Sequence, residues 1–110
     1  MAYIPKKGDI VWLNFTPQAG HQQKGKRPAL ILSPTEYNKK TGLAVCCPIT
    51  SNIKGYPFEV ILNGKKIKGA ILSDYLKKVD WKAREIQFIE KTNSEVISEV
   101  ISKIAALILD

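Results

Sequence analysis

Along the first three quarters of the chain, hydrophobic residues occur in short runs that are separated by polar segments containing glycine or proline. The runs are short and rich in β-branched and aromatic side chains, which is typical of strands. They predict five strands, at GDIVWLNF, PALILS, LAVCCPIT, FEVIL and GAILS, with further strand structure in KKVDW and AREIQFIE. The segment NGKKIKG is expected to form a hairpin-like connection between the fourth and fifth strands.

The last quarter of the chain changes to the period of a helix. In TNSEVISEVISKIAALIL, Thr92 and Glu95 have the spacing of a capping box, so we expect the helix to begin there. A second, short helix is predicted in SPTEYNKKTG, with Ser33 as the N-cap and Gly42 as the terminator. The apolar stripe expected to pack on the sheet consists of Val96, Ile97, Val100, Ile101, Ile104, Leu107 and Ile108. Together these elements predict a mainly β (α+β) fold, a small curved sheet or barrel with an amphipathic C-terminal helix.

The length and composition predict one globular domain, residues 1–110, whose core needs no disulfide or metal. Hydrophobic residues make up 45% of the chain and charged residues 25%, and no apolar run approaches the roughly 18 residues of a membrane span. The start, MAYIPKKGD, lacks the apolar region of a secretion signal. We therefore expect a soluble, cytoplasmic protein with no membrane partner.

Cysteine and histidine are too few for a structural metal site. The chain has 2 Cys and 1 His and no spaced CxxC pair, which falls short of four zinc ligands. Cys46 and Cys47 are adjacent, and successive side chains of a strand point to opposite faces, so we expect structural thiols rather than a disulfide. The sequence predicts no metal and no cofactor.

The net charge of +7 is unevenly distributed along the chain. Residues 1–84 contain 15 Lys and Arg against 5 Asp and Glu, a net +10, whereas residues 85–110 contain 2 against 5, a net −3. This asymmetry predicts an anionic partner for the first part, although a solvated basic surface is the plainer interpretation of charge alone.

The longest polar segment, TPQAGHQQKGKR at 16–27, is predicted to be an exposed loop. It contains His21, which is the only histidine, and it ends at Arg27 directly before a hydrophobic strand. Long ordered loops in small domains disproportionately carry function. Candidate functional residues are therefore expected here.

Five segments in order, GDIVWLNFTPQAG, GKRPALILSPTEYNKKTG, CPITS, KGYPFEV and DWKAR, resemble the MazF/PemK/Kid family of toxin endoribonucleases. The resemblance extends from Lys7 to about Arg84, with the C-terminal helix in the expected place. It implies an SH3-like β-barrel of the MazF/Kid/CcdB type with short helices, a homodimer, and inhibition by an acidic MazE-like antitoxin. It also implies sequence-selective, metal-independent cleavage of single-stranded RNA to 2′,3′-cyclic phosphate and 5′-hydroxyl ends.

Cleaving RNA without a metal requires a proton acceptor, a proton donor and positive charge at the phosphate. Arg27 suits the last task, because its planar guanidinium holds two phosphate oxygens and Pro28 stiffens the backbone that presents it. Thr50 ends CPIT, where similar family members have a catalytic threonine, and its hydroxyl can donate to the same phosphate. A surface arginine and a strand-end threonine bonded to local backbone are the alternatives.

Two residues are assigned to proton transfer by the resemblance. His21 matches a histidine of the Kid branch, and imidazole exchanges protons near neutral pH. Asp74 matches an aspartate with a proton-transfer role in Kid-like members, but Leu72 replaces the arginine that accompanies it there. The resemblance therefore favours Arg27 and Thr50, the MazF-type pair, as the catalytic core.

Gln22 departs from the family pattern. Family members commonly have G-x-E-Q-x-G-x-R-P in this loop, with a glutamate at the position of Gln22. An amide cannot accept a proton as a carboxylate does. We therefore expect a catalytic site that is either naturally attenuated or engineered to be inactive, with RNA binding retained.

RNA recognition is assigned to the loops, because lysines can meet phosphates and tyrosines can stack on unpaired bases. Tyr75 and Lys77 are placed there by the resemblance alone. The predicted RNA-binding residues are Lys24, Lys26, Lys54, Tyr56, Tyr75 and Lys77.

Two other functions fit the sequence. A poison of DNA gyrase related to CcdB has a similar fold, but it is not expected to carry the loop arginine followed by proline or the KGYPFEV segment. The other alternative is a barrel that binds RNA without cutting it. A cleavage assay in EDTA separates cutting from both.

Overall fold

The computed structural model describes residues 3–14 and 25–109, which contain seven strands and two helices. The five strands predicted from the hydrophobic runs and the C-terminal helix are confirmed. Extra strand structure is also present, although AREIQFIE is extended only from Gln87 because residues 81–85 form a turn. The elements are β1 (Asp9–Asn14), β2 (Lys26–Ile31), α1 (Thr35–Thr41), β3 (Leu43–Thr50), β4 (Glu59–Asn63), β5 (Lys68–Leu72), a 3₁₀ turn (Ser73–Tyr75), β6 (Lys77–Asp80), β7 (Gln87–Lys91) and α2 (Ser94–Leu109).

The strands form a curled half-barrel sheet in the order β4-β5-β3-β2-β1-β7, with β6 also paired to β3. One edge of β3 pairs with β2 through residues 46–48. The other edge pairs first with β6 and then, from Ile49, with β5. The mainly β fold with a C-terminal helix is thus confirmed, and the end of β3 lies where the sheet changes partner.

Alternating side chains of the strands build two hydrophobic clusters on opposite faces of the sheet. The neighbouring residues Ile10 and Val11 of β1 belong to different clusters, as do Cys46 and Cys47 of β3. Both cysteines are free and buried, and burial raises the pKa of each thiol to about 12. The prediction of two separate structural thiols is confirmed.

The predicted N-cap of the short helix is wrong, because Ser33 is buried and bonded elsewhere. Pro34 occupies the N-cap position of α1 and Gly42 ends the helix, as expected, in the left-handed conformation. The Ser33 hydroxyl donates to the Asn38 side-chain oxygen and accepts a hydrogen bond from the Val45 N–H at 2.8 Å. Ser33 therefore ties α1 to β3 instead of capping the helix.

The predicted capping box of the C-terminal helix is also wrong. The Thr92 N–H donates to the Gly8 carbonyl at 2.9 Å, which keeps Thr92 in the extended chain after β7. The cap is one residue later, where the Asn93 side-chain oxygen accepts the Val96 N–H at 2.9 Å. Consequently α2 begins at Ser94.

Only part of the predicted apolar stripe of α2 lies in the core. Val100 is fully buried, and Val96 and Ile104 pack against the same cluster. Ile101 and Ile108 are 42% and 68% exposed, because at 3.6 residues per turn they lie roughly a quarter turn away from Val100. Within the described residues, no helix is long and apolar enough to cross a membrane.

Candidate active site

Two adjoining cavities lie where the sheet curls, and Thr50 lines both of them. The first cavity, of about 440 Å³, is lined by Trp12, Lys26, Arg27, Pro28, Ile49, Thr50, Ser51, Lys66, Ile67 and Lys68. The second cavity, of about 280 Å³, is lined by Thr50, Asn52, Lys54, Tyr56, Glu59, Leu72, Asp74 and Tyr75.

The pairing of β2 with β3 brings Arg27 and Thr50 into the first cavity. The antiparallel register places Ala29 opposite Pro48. Arg27 lies two residues before Ala29, and Thr50 lies two residues after Pro48, so both lie beyond the last paired residues at the same end of the two strands, where both line the first cavity. A guanidinium and a hydroxyl that lie 23 positions apart in the sequence therefore line the same cavity.

The Thr50 hydroxyl is oriented by the loop that follows β3. Its oxygen accepts a hydrogen bond from the Asn52 N–H at 3.1 Å. Among the described residues no acceptor lies against its hydrogen, so the hydroxyl can donate to an oxygen atom held in either cavity.

Gly69 of β5 lets the neighbouring strand approach the backbone of Thr50. A Cβ atom at Gly69 would lie 2.2 Å from the Thr50 carbonyl oxygen and 3.0 Å from its carbon. Both of these are backbone atoms, so the clash could be relieved only by moving the end of β3. The position of Thr50 thus depends on a glycine in the adjacent strand.

We expect Gly69→Ala to displace Thr50, and for the RNA cleavage that the family resemblance implies, with Thr50 in the catalytic pair, we expect a roughly 100-fold lower rate, the size of effect that small displacements of reacting groups produce. Overpacking is also expected to lower the free energy of unfolding by about 1–3 kcal/mol. Single-turnover RNA cleavage and urea unfolding measure the two effects. The control is Gly42→Ala, which strains a left-handed residue with no atom within 4 Å of the new Cβ. Unchanged cleavage by Gly69→Ala would contradict this account of the site.

Glu59 fixes the backbone of the loop between β3 and β4, beside the second cavity. The Glu59 carboxylate accepts hydrogen bonds from the N–H groups of Lys54, at 3.2 and 3.3 Å, and Gly55, at 2.9 Å. Gly55 has a φ of +78°, a conformation that favours glycine. The Lys54 ammonium lies 5.8 Å from the centroid of the Tyr56 ring, within the range of a cation–π contact.

Two tyrosines border the second cavity with most of their rings in solvent. Tyr56 is 60% exposed and Tyr75 is 59% exposed, and both line the cavity. Asp74, in the 3₁₀ turn, lines it as well. The cavity therefore combines two tyrosine rings, one lysine and the carboxylates of Glu59 and Asp74, and Thr50 connects it to the cavity that contains Arg27.

The structure brings most of the predicted site residues together, but not all of them. Arg27 and Asp74 lie in different cavities. Lys26 lines the first cavity and donates to the Gln87 side-chain oxygen at 3.1 Å. Lys77 begins β6 opposite Cys46 and lines neither cavity. The remaining predicted residues, which lie outside the described part of the chain, are His21, Gln22 and Lys24.

The hairpin between β4 and β5 also contributes to the first cavity, which was not expected from the sequence. Lys66 and Lys68 line the first cavity, yet NGKKIKG was interpreted only as a connection. Its three lysines within four residues were the available signal. Asn52, which orients Thr50, carried no such signal.

A metal site is not evident in the part of the chain that the structure describes. Residues 3–14 and 25–109 contain no group of three or more His, Cys, Asp or Glu side chains that could hold a metal ion. The polar side chains of the described lining of the first cavity are lysines, an arginine, two hydroxyl residues and the Trp12 indole, all of which can donate hydrogen bonds to an anion.

Comparisons with known proteins identify relatives over nearly the whole chain. Residues 6–108 match the model of a family described as the PemK-like, MazF-like toxin of type II toxin-antitoxin system. The endoribonuclease toxin MazF of Escherichia coli K12 is 49% identical over 82 residues, which are 74% of each chain. The crystal structure of MazF from Deinococcus radiodurans superimposes with a TM-score of 0.89 at 46% identity, covering 99% of this chain and 100% of that one. A MazE–MazF crystal structure from the same organism gives 0.86 at 42% identity over 96% of each chain.

Proposed function

This chain belongs to the MazF-like, PemK-like family of type II toxin endoribonucleases, and from that membership we propose that it cleaves single-stranded RNA in the first cavity without a metal ion. The observation that carries the proposal is the meeting of Arg27 and Thr50 in one cation-rich cavity. A cavity of this composition complements a phosphodiester whose negative charge increases during the reaction.

The proposed reaction uses the RNA's own 2′-hydroxyl as the nucleophile. Its oxygen forms a bond to the adjacent phosphorus while the bond from phosphorus to the 5′-oxygen breaks. The 2′-hydroxyl proton passes to a base, and an acid protonates the departing 5′-oxygen. The products are a 2′,3′-cyclic phosphate and a 5′-hydroxyl, and no further reactant is consumed.

Each residue of the proposed site has one task. Arg27 holds two non-bridging phosphate oxygens with its guanidinium fork, and the Thr50 hydroxyl donates to one of them. His21 and Asp74 are the candidates for proton transfer, and Asp74 lines the cavity that adjoins Thr50.

The second cavity is proposed to hold the bases that give the enzyme its sequence preference. Tyr56 and Tyr75 offer exposed rings for stacking, and Lys54 offers a charge for a phosphate. Lys24, Lys26 and Lys77 are proposed to add sequence-independent affinity through phosphates.

Gln22 is proposed to attenuate this activity. If the family glutamate takes part in proton transfer, its replacement by an amide slows the reaction while the cations that bind RNA remain. The expected consequence is a chain that binds RNA well and cuts it slowly.

We further propose an acidic MazE-like antitoxin and a homodimer as partners. The net charge of +10 over residues 1–84 supports an acidic segment lying on the surface that RNA needs. A partner subunit is supported by the exposed apolar residues of α2, where Leu107 and Leu109 are 50% and 81% exposed.

Cleavage is favoured over gyrase poisoning and over RNA binding without cleavage, because the E. coli relative at 49% identity is named an endoribonuclease. The test is to incubate the pure protein with a long unstructured RNA in EDTA and to analyse the fragment ends by mass spectrometry. We expect fragments with 2′,3′-cyclic phosphate and 5′-hydroxyl ends. Intact RNA after prolonged incubation at high enzyme concentration would contradict the proposal, as would cleavage that appears only when a divalent metal is added.

A further inference from the structure

The hairpin between β4 and β5 adds cations that the proposed chemistry at the scissile phosphate does not use. Lys66 and Lys68 line the first cavity with Lys26 and Arg27, and its described lining contains no Asp or Glu. Proteins that hold a single strand line its path with cations that meet successive phosphates. The cavity therefore has enough cations to bind several successive phosphates of a single strand.

We propose that Lys66 and Lys68 bind backbone phosphates beyond the scissile one, and that Glu90 of β7 is the positioning residue that holds them there. The proposal rests on the RNA binding that the proposed function requires. It extends that function by identifying the hairpin as an RNA-binding element and Glu90, on another strand, as the residue that positions it.

Glu90 accepts hydrogen bonds from the backbone of the hairpin, although it does not line the first cavity itself. One carboxylate oxygen accepts the Lys65 N–H at 3.1 Å, and the other accepts the N–H groups of Lys66 at 3.1 Å and Ile67 at 2.9 Å. Partial desolvation acts to raise the pKa of Glu90, but these hydrogen bonds and the charge of Lys66 outweigh it and lower the pKa. Glu90 thus stays ionised, as an acceptor of three backbone donors must.

Gly64 gives independent evidence for the contact, because a side chain at this position would clash with Glu90 and with the hairpin backbone. A Cβ atom at Gly64 would lie 2.4 Å from a carboxylate oxygen of Glu90 and 2.7 Å from the Ile67 carbonyl oxygen. The Gly64 N–H donates to that same carbonyl at 2.9 Å and closes the hairpin. A larger residue would push the hairpin tip away from the carboxylate.

The first arm of the test measures the affinity of a fluorescein-labelled, mixed-sequence single-stranded RNA by anisotropy over a series of salt concentrations. For Lys66→Ala/Lys68→Ala we expect a roughly tenfold weaker Kd and a salt slope of log Kd that is shallower by up to about 1.4, since each phosphate contact contributes about 0.7 in a single strand. The matched control is Lys39→Ala/Lys40→Ala, which removes the same charge from exposed residues of α1 that line neither cavity. An equal loss in the control would overturn the proposal.

The second arm uses Glu90→Gln, for which a pure charge effect and a positioning effect predict opposite changes in the Kd for RNA. Removing a negative charge near a polyanion tightens RNA binding if charge alone matters, whereas release of the hairpin weakens it. We expect a several-fold weaker Kd, a similar loss in Gly64→Ala, and no further loss when Glu90→Gln is added to Lys66→Ala/Lys68→Ala. Thermal melting of each variant shows that it is folded.

Tighter binding by Glu90→Gln, or the same loss with and without the two lysines, would overturn the positioning role. If the unmodified chain binds RNA but does not cut it, the proposed function fails while the hairpin's binding role stands. If it binds no RNA, both fail.

Discussion

Arg27→Ala is expected to lower the rate constant of RNA cleavage at saturating RNA by about 100- to 1,000-fold. Arg27 lines the same cavity as Thr50, at the end of the pairing between β2 and β3, and the scissile phosphate is proposed to bind there. Removing one preorganised donor from a site of developing negative charge costs a factor of this size. Single-turnover cleavage at saturating RNA measures it.

The matched variants for this prediction are Arg27→Lys and Lys26→Ala. Arg27→Lys keeps the charge but loses the planar fork, so we expect partial activity. Lys26→Ala removes a neighbouring cation that lines the same cavity, and it should weaken RNA binding more than it slows the chemical step. Because Arg27 is exposed, its variants should change the free energy of unfolding by less than about 0.5 kcal/mol. A rate constant unchanged in Arg27→Ala would contradict the proposed role.

Gln22→Glu is expected to raise the cleavage rate on the order of 100- to 10,000-fold, the usual contribution of a positioned proton-transfer group. The expectation follows from the sequence pattern, since Gln22 lies outside the described residues. RNA affinity should remain similar or fall slightly, because the change adds one negative charge beside a polyanion. The measurement is the single-turnover rate at saturating RNA, compared with that of the unmodified chain.

Gln23→Glu is the control for this substitution, because it makes the same chemical change one residue further along the same segment. If both variants accelerate cleavage equally, the effect is one of general charge. If Gln22→Glu cuts no faster than the unmodified chain, a carboxylate at this position is not part of the chemistry, and proton transfer falls to His21 and Asp74.

The strands and the C-terminal helix could be predicted because their periodicity is a local property of the sequence. The N-caps of the two helices could not, because they depend on tertiary contacts, whereas Gly42 was predicted correctly as the end of the short helix. Ser33 is drawn into bonds with Asn38 and Val45, and the Thr92 N–H is held by the carbonyl of Gly8, far away in the chain. A residue with the sequence features of a cap does not cap the helix when its hydroxyl or its backbone N–H forms a hydrogen bond elsewhere in the fold.

The candidate site divides in the same way. Arg27 and Thr50 could be proposed from a family pattern, but their meeting depends on the pairing of β2 with β3, which the residues alone do not specify. The contact between Glu90 and the hairpin spans 23 to 25 positions and joins an acidic residue to backbone N–H groups. Backbone donors have no sequence signature, so the contact of Glu90 could not be predicted, whereas the three lysines of the hairpin signalled a basic segment without indicating the cavity that it lines.

The most direct test of the proposed chemistry is cleavage of an RNA oligonucleotide that carries a single 2′-deoxy nucleotide at the position where the all-RNA form is cut. Both oligonucleotides are incubated with the protein in EDTA, and the all-RNA form serves as the control for activity. We expect the bond that follows the deoxy nucleotide to stay intact, while the all-RNA form yields 2′,3′-cyclic phosphate ends. Cleavage of the deoxy-substituted oligonucleotide at the same position and rate would contradict it.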